Sequence, residues 1–435
     1  MGADIIYGSE KPEGYVPRVM DARIQQALRL FGGVEIAGTK WCGKSWSALA
    51  FGESVTHVDD ARVRSLAEAD PMLALLGNRP HVIDEWQEVP IIWDAARRSI
   101  DASGTERGMY LLTGSSTPEK DKVSHSGAGR IARLSMSTMT LWEMGESTGA
   151  VSLADLFEGR FSAAPASEGG LQRLADSICR GGWPALRGAS SQDAISTVDQ
   201  YLDALFEVSV PKKGGTESTA RRIAASLARN VATAARIETI AKDVPDASDG
   251  LPAASTVSSY LELFRSLYVI EELAGWDAPI RSKSRLRTKP KRYFADPSLP
   301  AALMGLDPGR LLSDGQTFGL LFESLCIHDL GVYVNALSSS YSGSLRYYGD
   351  ADGLEVDAII ELRDGRWAGI EIKLGEEKVP DGIANLNRLR KKVAANPAAR
   401  NPRPEFMAVV TATSPFCRYD AENDVYVFPI TALRA

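Results

Sequence analysis

The stretch that most limits what this chain can become is Gly38, Thr39, Lys40, Trp41, Cys42, Gly43, Lys44 and Ser45, which has the form GxxxxGKS. The five residues ahead of it, Gly33-Val34-Glu35-Ile36-Ala37, read as a short buried strand. Those after it, Trp46 to Phe51, contain neither Gly nor Pro and read as the start of a helix. A strand, a glycine-rich loop and a helix N-terminus make a cradle for phosphate, because loop N–H groups point inward and the helix dipole favours an anion. In such a cradle Lys44 reaches the β- and γ-phosphates and the Ser45 hydroxyl binds Mg²⁺, so the expected cofactors are ATP and Mg²⁺.

Two further strand ends belong to the same chemistry. His81-Val82-Ile83-Asp84-Glu85 is a short apolar strand ending in adjacent carboxylates, about 40 residues beyond the loop. Asp84 is expected to hold Mg²⁺ and Glu85 to polarise the attacking water. Tyr110-Leu111-Leu112-Thr113-Gly114-Ser115 is another buried strand with hydroxyls at its end, and Thr113 or Ser115 is the expected sensor of the γ-phosphate, a turn cap being the alternative. Arg130 follows a Ser/Gly-rich segment. It is either a surface arginine or the group that stabilises transition-state charge, in cis or from a neighbouring subunit of a homo-oligomer.

Length and composition set the frame. At 435 residues, with 44% hydrophobic and 24% charged residues, the chain has the make-up of an ordinary globular protein of several domains of about 150 residues each. No uninterrupted apolar run approaches the roughly 18 residues of a membrane span. The first residues lack a basic, apolar leader, and Cys42, Cys179, Cys326 and Cys417 stand far apart. A cytoplasmic protein with free thiols and no membrane partner is expected. The net charge of −7 opposes indiscriminate coating of nucleic acid but leaves room for a local basic patch.

The middle of the chain is helical. Residues 147–170 read as a Ser/Ala/Gly-rich bridge between domains, and Arg180-Gly181-Gly182-Trp183-Pro184 as a structural turn. Three helical segments between 218 and 264, then a strand from Tyr268 to Leu273, resemble a winged helix over about 218–276. Its third helix would offer Ser255, Thr256, Ser258 and Ser259 to DNA, but no Arg or Lys lies in its first two turns, so a packing module of the same shape competes. Arg281, Lys283, Arg285, Arg287, Lys289 and Lys291 recur at every second position, with Arg292 adjoining. That row reads either as one face of an extended strand tracking DNA or RNA phosphates, or as a solvated hairpin.

In the last third, a helix around 319–325 carries Glu323, and strands follow at 345–348, 355–361 and 367–373, the last two joined by a turn at Asp364-Gly365. Glu371 and Lys373 share one side of their strand, and Asp357 can sit opposite them. This resembles the Asp…Glu-x-Lys arrangement of restriction-endonuclease-like nucleases, with Glu323 as the helical acid. It implies that Asp357 and Glu371 bind a metal and that Lys373 orients the attacking water. Val356 stands where those nucleases often have Pro. An exposed Glu–Lys pair on a hairpin is the competing reading.

As a whole the chain resembles the prokaryotic AAA-type P-loop ATPases whose C-terminal half is a domain of unknown function. The resemblance rests on the phosphate loop, Ile83-Asp84-Glu85-Trp86-Gln87, Leu112-Thr113-Gly114-Ser115-Ser116, Gly129-Arg130, Leu141-Trp142-Glu143-Met144, Gly181-Gly182-Trp183-Pro184, and Lys289, Lys291, Tyr293 and Asp296. Trp41-Cys42 departs from the family's more usual Gln-Val and leaves the Gly, Lys and hydroxyl positions intact. The expectation is an α/β chain with a P-loop domain at 1–150, a helical and winged-helix region at 151–310, and a restriction-endonuclease-like domain at 311–435. Such a protein would hydrolyse ATP to drive a nucleic-acid-directed nuclease-like domain, or would be a nucleotide-switched assembly protein with an inert nuclease-like scaffold.

Overall fold

The apolar run before the phosphate loop forms a strand, β1 (Gly33–Ala37), buried along its whole length. A strand buried on both faces needs covering layers on both sides, which is the usual situation of a parallel sheet. Four more strands join it: β2 (Ser54–His57), β3 (His81–Asp84), β4 (Tyr110–Gly114) and β5 (Ile131–Ser135), in the order β2-β3-β4-β1-β5, all parallel. Helices α1 (Asp21–Leu30), α2 (Lys44–Phe51), α3 (Ala61–Ala69) and α4 (Ile91–Ala102) supply the cover. On one face Val34, Ile36, Val55, Val82 and Leu111 pack with Ile24, Ala27 and Ala48 of α1 and α2. On the other, Ile83, Tyr110 and Leu112 pack with Ala67 of α3 and Ile92, Trp93, Ala96 and Ile100 of α4. This N-terminal α/β unit ends at Thr138 and also takes in Phe264–Val269.

The structure, a computed structural model, describes residues 11–117, 126–166, 170–244, 252–279, 281–337 and 342–435. Residues 1–10, the segment between the second and third middle helices (245–251), and part of the Ser/Gly-rich segment before Gly129 lie outside the described residues. Residues ahead of α1 are fastened to the phosphate-loop region. Tyr15 donates to Asp21 (2.7 Å) and meets the Ser47 hydroxyl (3.0 Å), and Arg18 donates to the carbonyls of Cys42 (2.8 Å) and Ser137 (2.9 Å).

The remaining chain forms a second unit, in which the regions expected as separate middle and C-terminal domains fall together. Helices at Glu217–Arg229, Ile237–Lys242 and Ala254–Ser266 precede an antiparallel pair, Ile270–Leu273 with Lys291–Phe294. The element order is that of the expected three helices and a strand. The hydroxyls of Ser258 and Ser259 are turned onto their own helix, at the carbonyls of Ala254 and Ser255. A mixed seven-stranded sheet follows. Its strands, in spatial order, are Gly343–Gly349, Glu355–Leu362, Trp367–Lys373, Phe406–Thr411, Val425–Pro429, Phe416–Asp420 and Ala164–Pro165. The first pairs antiparallel with the second, and the second antiparallel with the third. Trp367–Lys373 and Phe406–Thr411 are parallel and are joined through the helix Val379–Ala395.

The described residues of the segment read as a bridge, 147–170, are built into this unit. Ala164–Pro165 adds the last strand of the sheet, and Val151–Ser152 pairs in parallel with Leu433–Arg434. The turn at Gly181-Gly182 is structural, as its sequence indicated. The Gly182 N–H donates to Asp296 (2.9 Å), and a side chain there would meet the Met139 carbonyl at 2.0 Å. Among the described residues one helix, Gly315–Ala336, is long and apolar enough by length and composition to cross a membrane. Here it is a core helix with Phe318, Leu321, Phe322 and Leu330 buried, and it carries Glu323.

His81, the first residue of β3, is wholly buried. Its Nε2 donates to the Ala74 carbonyl (3.1 Å), and its Nδ1 lies 2.6 Å from the Ser54 hydroxyl. Burial lowers its pKa to about 4, against the Ala74 hydrogen bond that raises it. The unfolded chain therefore binds a proton near pH 6.5 that the folded chain refuses until about pH 4. Stability is fully present above pH 6.5 and falls by about 3 kcal/mol as pH drops toward 4. Urea denaturation between pH 7.5 and 4.5 should show this loss, and His81→Gln should flatten it.

Candidate functional site

The phosphate loop turns on two glycines. Gly38 lies so close to the chain after β5 that a Cβ would stand 2.1 Å from the Met136 carbonyl oxygen. Gly43, at the mouth of α2, has φ 102°, a left-handed conformation that glycine adopts without strain. Between them Thr39 and Cys42 are buried, and Lys40 and Trp41 are exposed, Trp41 with φ 68°. Lys44 is buried, and its ammonium donates to the Thr39 carbonyl at 2.7 Å, across the mouth of the loop.

Because β1, β3 and β4 are parallel neighbours, their C-terminal ends bring the expected residues together. Ser45 donates to Asp84 Oδ1 at 2.7 Å, and the Thr113 hydroxyl donates to the same oxygen. His57, at the end of β2, places Nδ1 3.3 Å from the other oxygen, Oδ2. Burial raises the Asp84 pKa, but the bonds from His57, Thr113 and Ser45 outweigh it and hold the carboxyl below its ordinary value. The Glu85 N–H donates to Thr113 Oγ1 at 3.1 Å, so one hydroxyl registers both carboxylate residues. Glu85 itself has φ 55°, and its carboxylate accepts from Ser115 (2.8 Å) and from the Gln87 amide. Thr113 and Ser115, set out as alternatives, thus serve one carboxylate each. The Ser45 hydroxyl and the Asp84 carboxylate form a hard-oxygen pair that fits Mg²⁺.

Arg130 is placed elsewhere. It immediately precedes β5, whose first residue pairs with Gly33 at the start of β1, while the phosphate loop leaves the other end of β1. At about 3.3 Å per residue, the five-residue strand puts roughly 16 Å between them. Arg130 pairs instead with Asp101 (2.7 Å) on the surface. The cis reading of Arg130 is therefore corrected, and only another copy of the chain could bring it to a γ-phosphate.

In the second unit Asp357, Glu371 and Lys373 lie together, and Glu323 reaches the same cluster through Lys291. Asp357 Oδ2 accepts the Ile372 N–H (2.8 Å) and lies 3.5 Å from Lys373 Nζ, which also pairs with Glu371. Burial, then the Asp357 charge, raise Glu371 to about 8, against Lys373 and Asn385. Burial and Asp357 likewise raise Glu323 to about 7, against Lys291 and Tyr293.

Lys291 and Tyr293 are the residues that sequence reasoning misplaced. The basic row is not one strand face: Ser284–Arg287 is a helical turn, and the strand begins only at Lys291. Arg285 makes a two-pronged bond to Glu361 (2.7 Å each), and Arg292 pairs with Glu272 (3.0 Å). Lys291 is buried, with Nζ 2.6 Å from Glu355, 2.9 Å from Glu323 and 3.9 Å from Asp357. The Tyr293 hydroxyl donates to Glu323 at 2.7 Å. The apolar run Tyr293-Phe294-Ala295 was the available signal, since a lysine within a buried strand needs carboxylate partners. Arg281, Lys283, Arg287 and Lys289 remain exposed.

Residues 33–145 match the family model of an AAA domain. Residues 171–310 match a domain of unknown function (DUF8612), and residues 318–433 match another (DUF4143). Over 358 residues the chain is 26% identical to the uncharacterized proteins Rv2008c of Mycobacterium tuberculosis and Mb2031c of Mycobacterium bovis, covering 81% of this chain and 72% of each relative. The Walker-type ATPase PABY2304 of Pyrococcus abyssi aligns with a TM-score of 0.43 at 11% identity, over 68% of this chain and 97% of that one. The ORC2 protein of Aeropyrum pernix aligns with a TM-score of 0.28 at 11% identity, over 71% of this chain and 100% of that one.

The two ion pairs should differ sharply in what they contribute. Arg130→Ala removes an exposed pair and should cost less than about 1 kcal/mol. Lys373→Met strands two buried carboxylates and should cost about 3 kcal/mol. Denaturant unfolding of the two variants beside the wild type checks the contrast.

Proposed function

We propose that this chain, with an AAA domain at 33–145 and a domain of unknown function at 318–433, hydrolyses ATP at the C-terminal ends of β1, β3 and β4 and acts as a nucleotide-dependent switch. The observation that carries this reading is the Ser45–Asp84 hydrogen bond, which joins the loop hydroxyl to the first strand-end carboxylate. Lys44 exchanges its bond to the Thr39 carbonyl for phosphate oxygens. Ser45 and Asp84 would hold Mg²⁺, which would offset the charge of the phosphates. Glu85 orients a water and takes its proton as the water oxygen bonds to the γ-phosphorus. The bond to the β–γ bridging oxygen breaks, and ADP and phosphate leave. Thr113 keeps Asp84 and Glu85 in register throughout.

A helix bearing Glu323 and a hairpin bearing Asp357, Glu371 and Lys373 are the features that support a restriction-endonuclease-like reading of the second unit. Its carboxylates nevertheless face lysines rather than an open cation place, and Arg285, Lys291 and Arg292 of the basic row are committed to internal pairs. This favours the scaffold reading over cutting, with the nucleotide state of the N-terminal unit governing binding or assembly by the rest.

Lys44→Ala and Glu85→Gln should each abolish ATP turnover, with Glu85→Gln still retaining ATP; unchanged turnover in either would sink the ATPase reading. Thr113→Val should slow turnover by roughly tenfold, the loss of one hydrogen bond to a charged group. Labelled DNA and RNA, single- and double-stranded, should stay intact with Mg²⁺ or Mn²⁺, with or without ATP. Cutting that disappears in Lys373→Ala would restore the nuclease reading.

A further inference from the structure

We infer that Gln87 is a positioning residue for the water-side carboxylate: with Ser115 it holds one oxygen of Glu85 and so presents the other to the attacking water. The inference deepens the ATPase reading of the first unit and rests on it. The Gln87 amide donates through Nε2 to Glu85 Oε2, and the Ser115 hydroxyl donates to the same oxygen at 2.8 Å. The amide also donates to Ser115 Oγ at 3.3 Å, which closes a ring of three side chains. Among the described residues nothing donates to Glu85 Oε1.

The ring stands on a rigid base. Trp86 is wholly buried, with its ring centre 4.9 Å from that of Trp93, and its Nε1 donates to Glu35 Oε1 at 3.3 Å. Glu35 is itself buried in the middle of β1 and pairs with Arg133 of β5. The sheet therefore holds the residues on either side of Trp86, which are Glu85 at φ 55° and Gln87 in the short helical turn Trp86–Glu88. Gly114, at the end of β4, gives that turn room. A Cβ there would stand 3.1 Å from Trp86 Nε1 and 3.2 Å from Gln87 Oε1.

The energetics single out the amide. Gln87 Oε1 is shielded from solvent and accepts no hydrogen bond among the described residues. A buried acceptor left unpaired costs free energy. An amide turned over would put that oxygen against the Glu85 carboxylate, whereas the donor face makes a bond to an ionised group, which is the stronger kind. The donor face is thus fixed on Glu85. Two donors on Oε2 set the plane of the carboxylate and leave the lone pairs of Oε1 for the water. As the water oxygen bonds to the γ-phosphorus, its proton passes to Glu85 Oε1 and the bond to the β–γ bridging oxygen breaks. Gln87 acts only through Glu85. A carboxylate free to turn would meet the water in the right geometry for a small part of the time, which slows the chemical step and leaves ATP binding as it was.

Steady-state turnover of ATP by the full chain, beside equilibrium binding of a fluorescent ATP analogue, tests this. Gln87→Met keeps the length of the side chain and removes both the donor and the unpaired oxygen. It should lower kcat about tenfold or more, the loss of a hydrogen bond to a charged group, and leave the dissociation constant unchanged within about twofold. Its urea midpoint should not fall, since no buried acceptor is left behind. Ser115→Ala should lower kcat in the same way, and the double variant should lose less than the product of the two, because either change already frees the carboxylate. A folded Gln87→Met protein with the kcat of the wild type would overturn the inference alone. A kcat that falls only in step with weaker binding or a lower urea midpoint would overturn it too, in favour of a packing role. If Gln87→Met does not fold, Gln87→Asn, which withdraws the amide by one methylene, takes its place with the same expectations for kcat and binding. A wild-type chain that binds ATP without turning it over would sink the ATPase reading and this inference with it.

Discussion

A carboxylate taken out of water must be met by donors or by a cation, and both halves of this chain are arranged around that requirement. Asp84 is met by hydroxyls from Ser45 and Thr113 and by the ring of His57. Glu323, Asp357 and Glu371 are met by the ammonium groups of Lys291 and Lys373. The two solutions differ in consequence. Hydroxyls are neutral and can share a carboxylate with an arriving Mg²⁺, so the first site is open to a charged ligand. Lysines already carry the compensating charge, and a metal would have to displace them.

The parallel sheet gives the first solution its geometry. With β1 between β4 and β5 and β3 beside β4, the residues that end three strands emerge at one rim. The glycine loop returns over that rim because Gly38 can approach the Met136 carbonyl, and Arg18 fastens it through the Cys42 carbonyl. One hydroxyl, that of Thr113, couples the metal-side carboxylate to the backbone of the water-side one. The same parallel arrangement carries Arg130 to the opposite rim.

In the second unit the hydrogen-bond ladder and the ion pairs share the work of joining segments far apart in sequence. Asp296 accepts the Gly182 N–H, Asp329 accepts the Leu141 N–H, and Arg285 grips Glu361. Each contact buries a polar group that needs its partner, so the middle helices and the terminal sheet form one unit although they match separate family models. This is also why the segment 147–170 supplies strands rather than a free bridge.

What the sequence by itself determined is local. The glycine spacing with Lys44 and Ser45, the acidic end of a β-rich run at Asp84-Glu85, and the two-residue alternation of Glu371 and Lys373 each follow from backbone geometry over a few residues, and all three stand where that geometry puts them. The Asp364-Gly365 turn likewise sets the hairpin that brings Asp357 opposite Glu371. Only the tertiary structure decided the rest. A period of two in charged residues cannot distinguish a solvated strand from a helical turn followed by a buried strand. No local rule says that Lys291 will enter the pocket formed by Glu323 and Glu355. The preference of a charge for a partner is legible in its residue type, but the identity of that partner depends on which segments the core draws together. Hydrophobic burial draws them together without regard to distance along the chain.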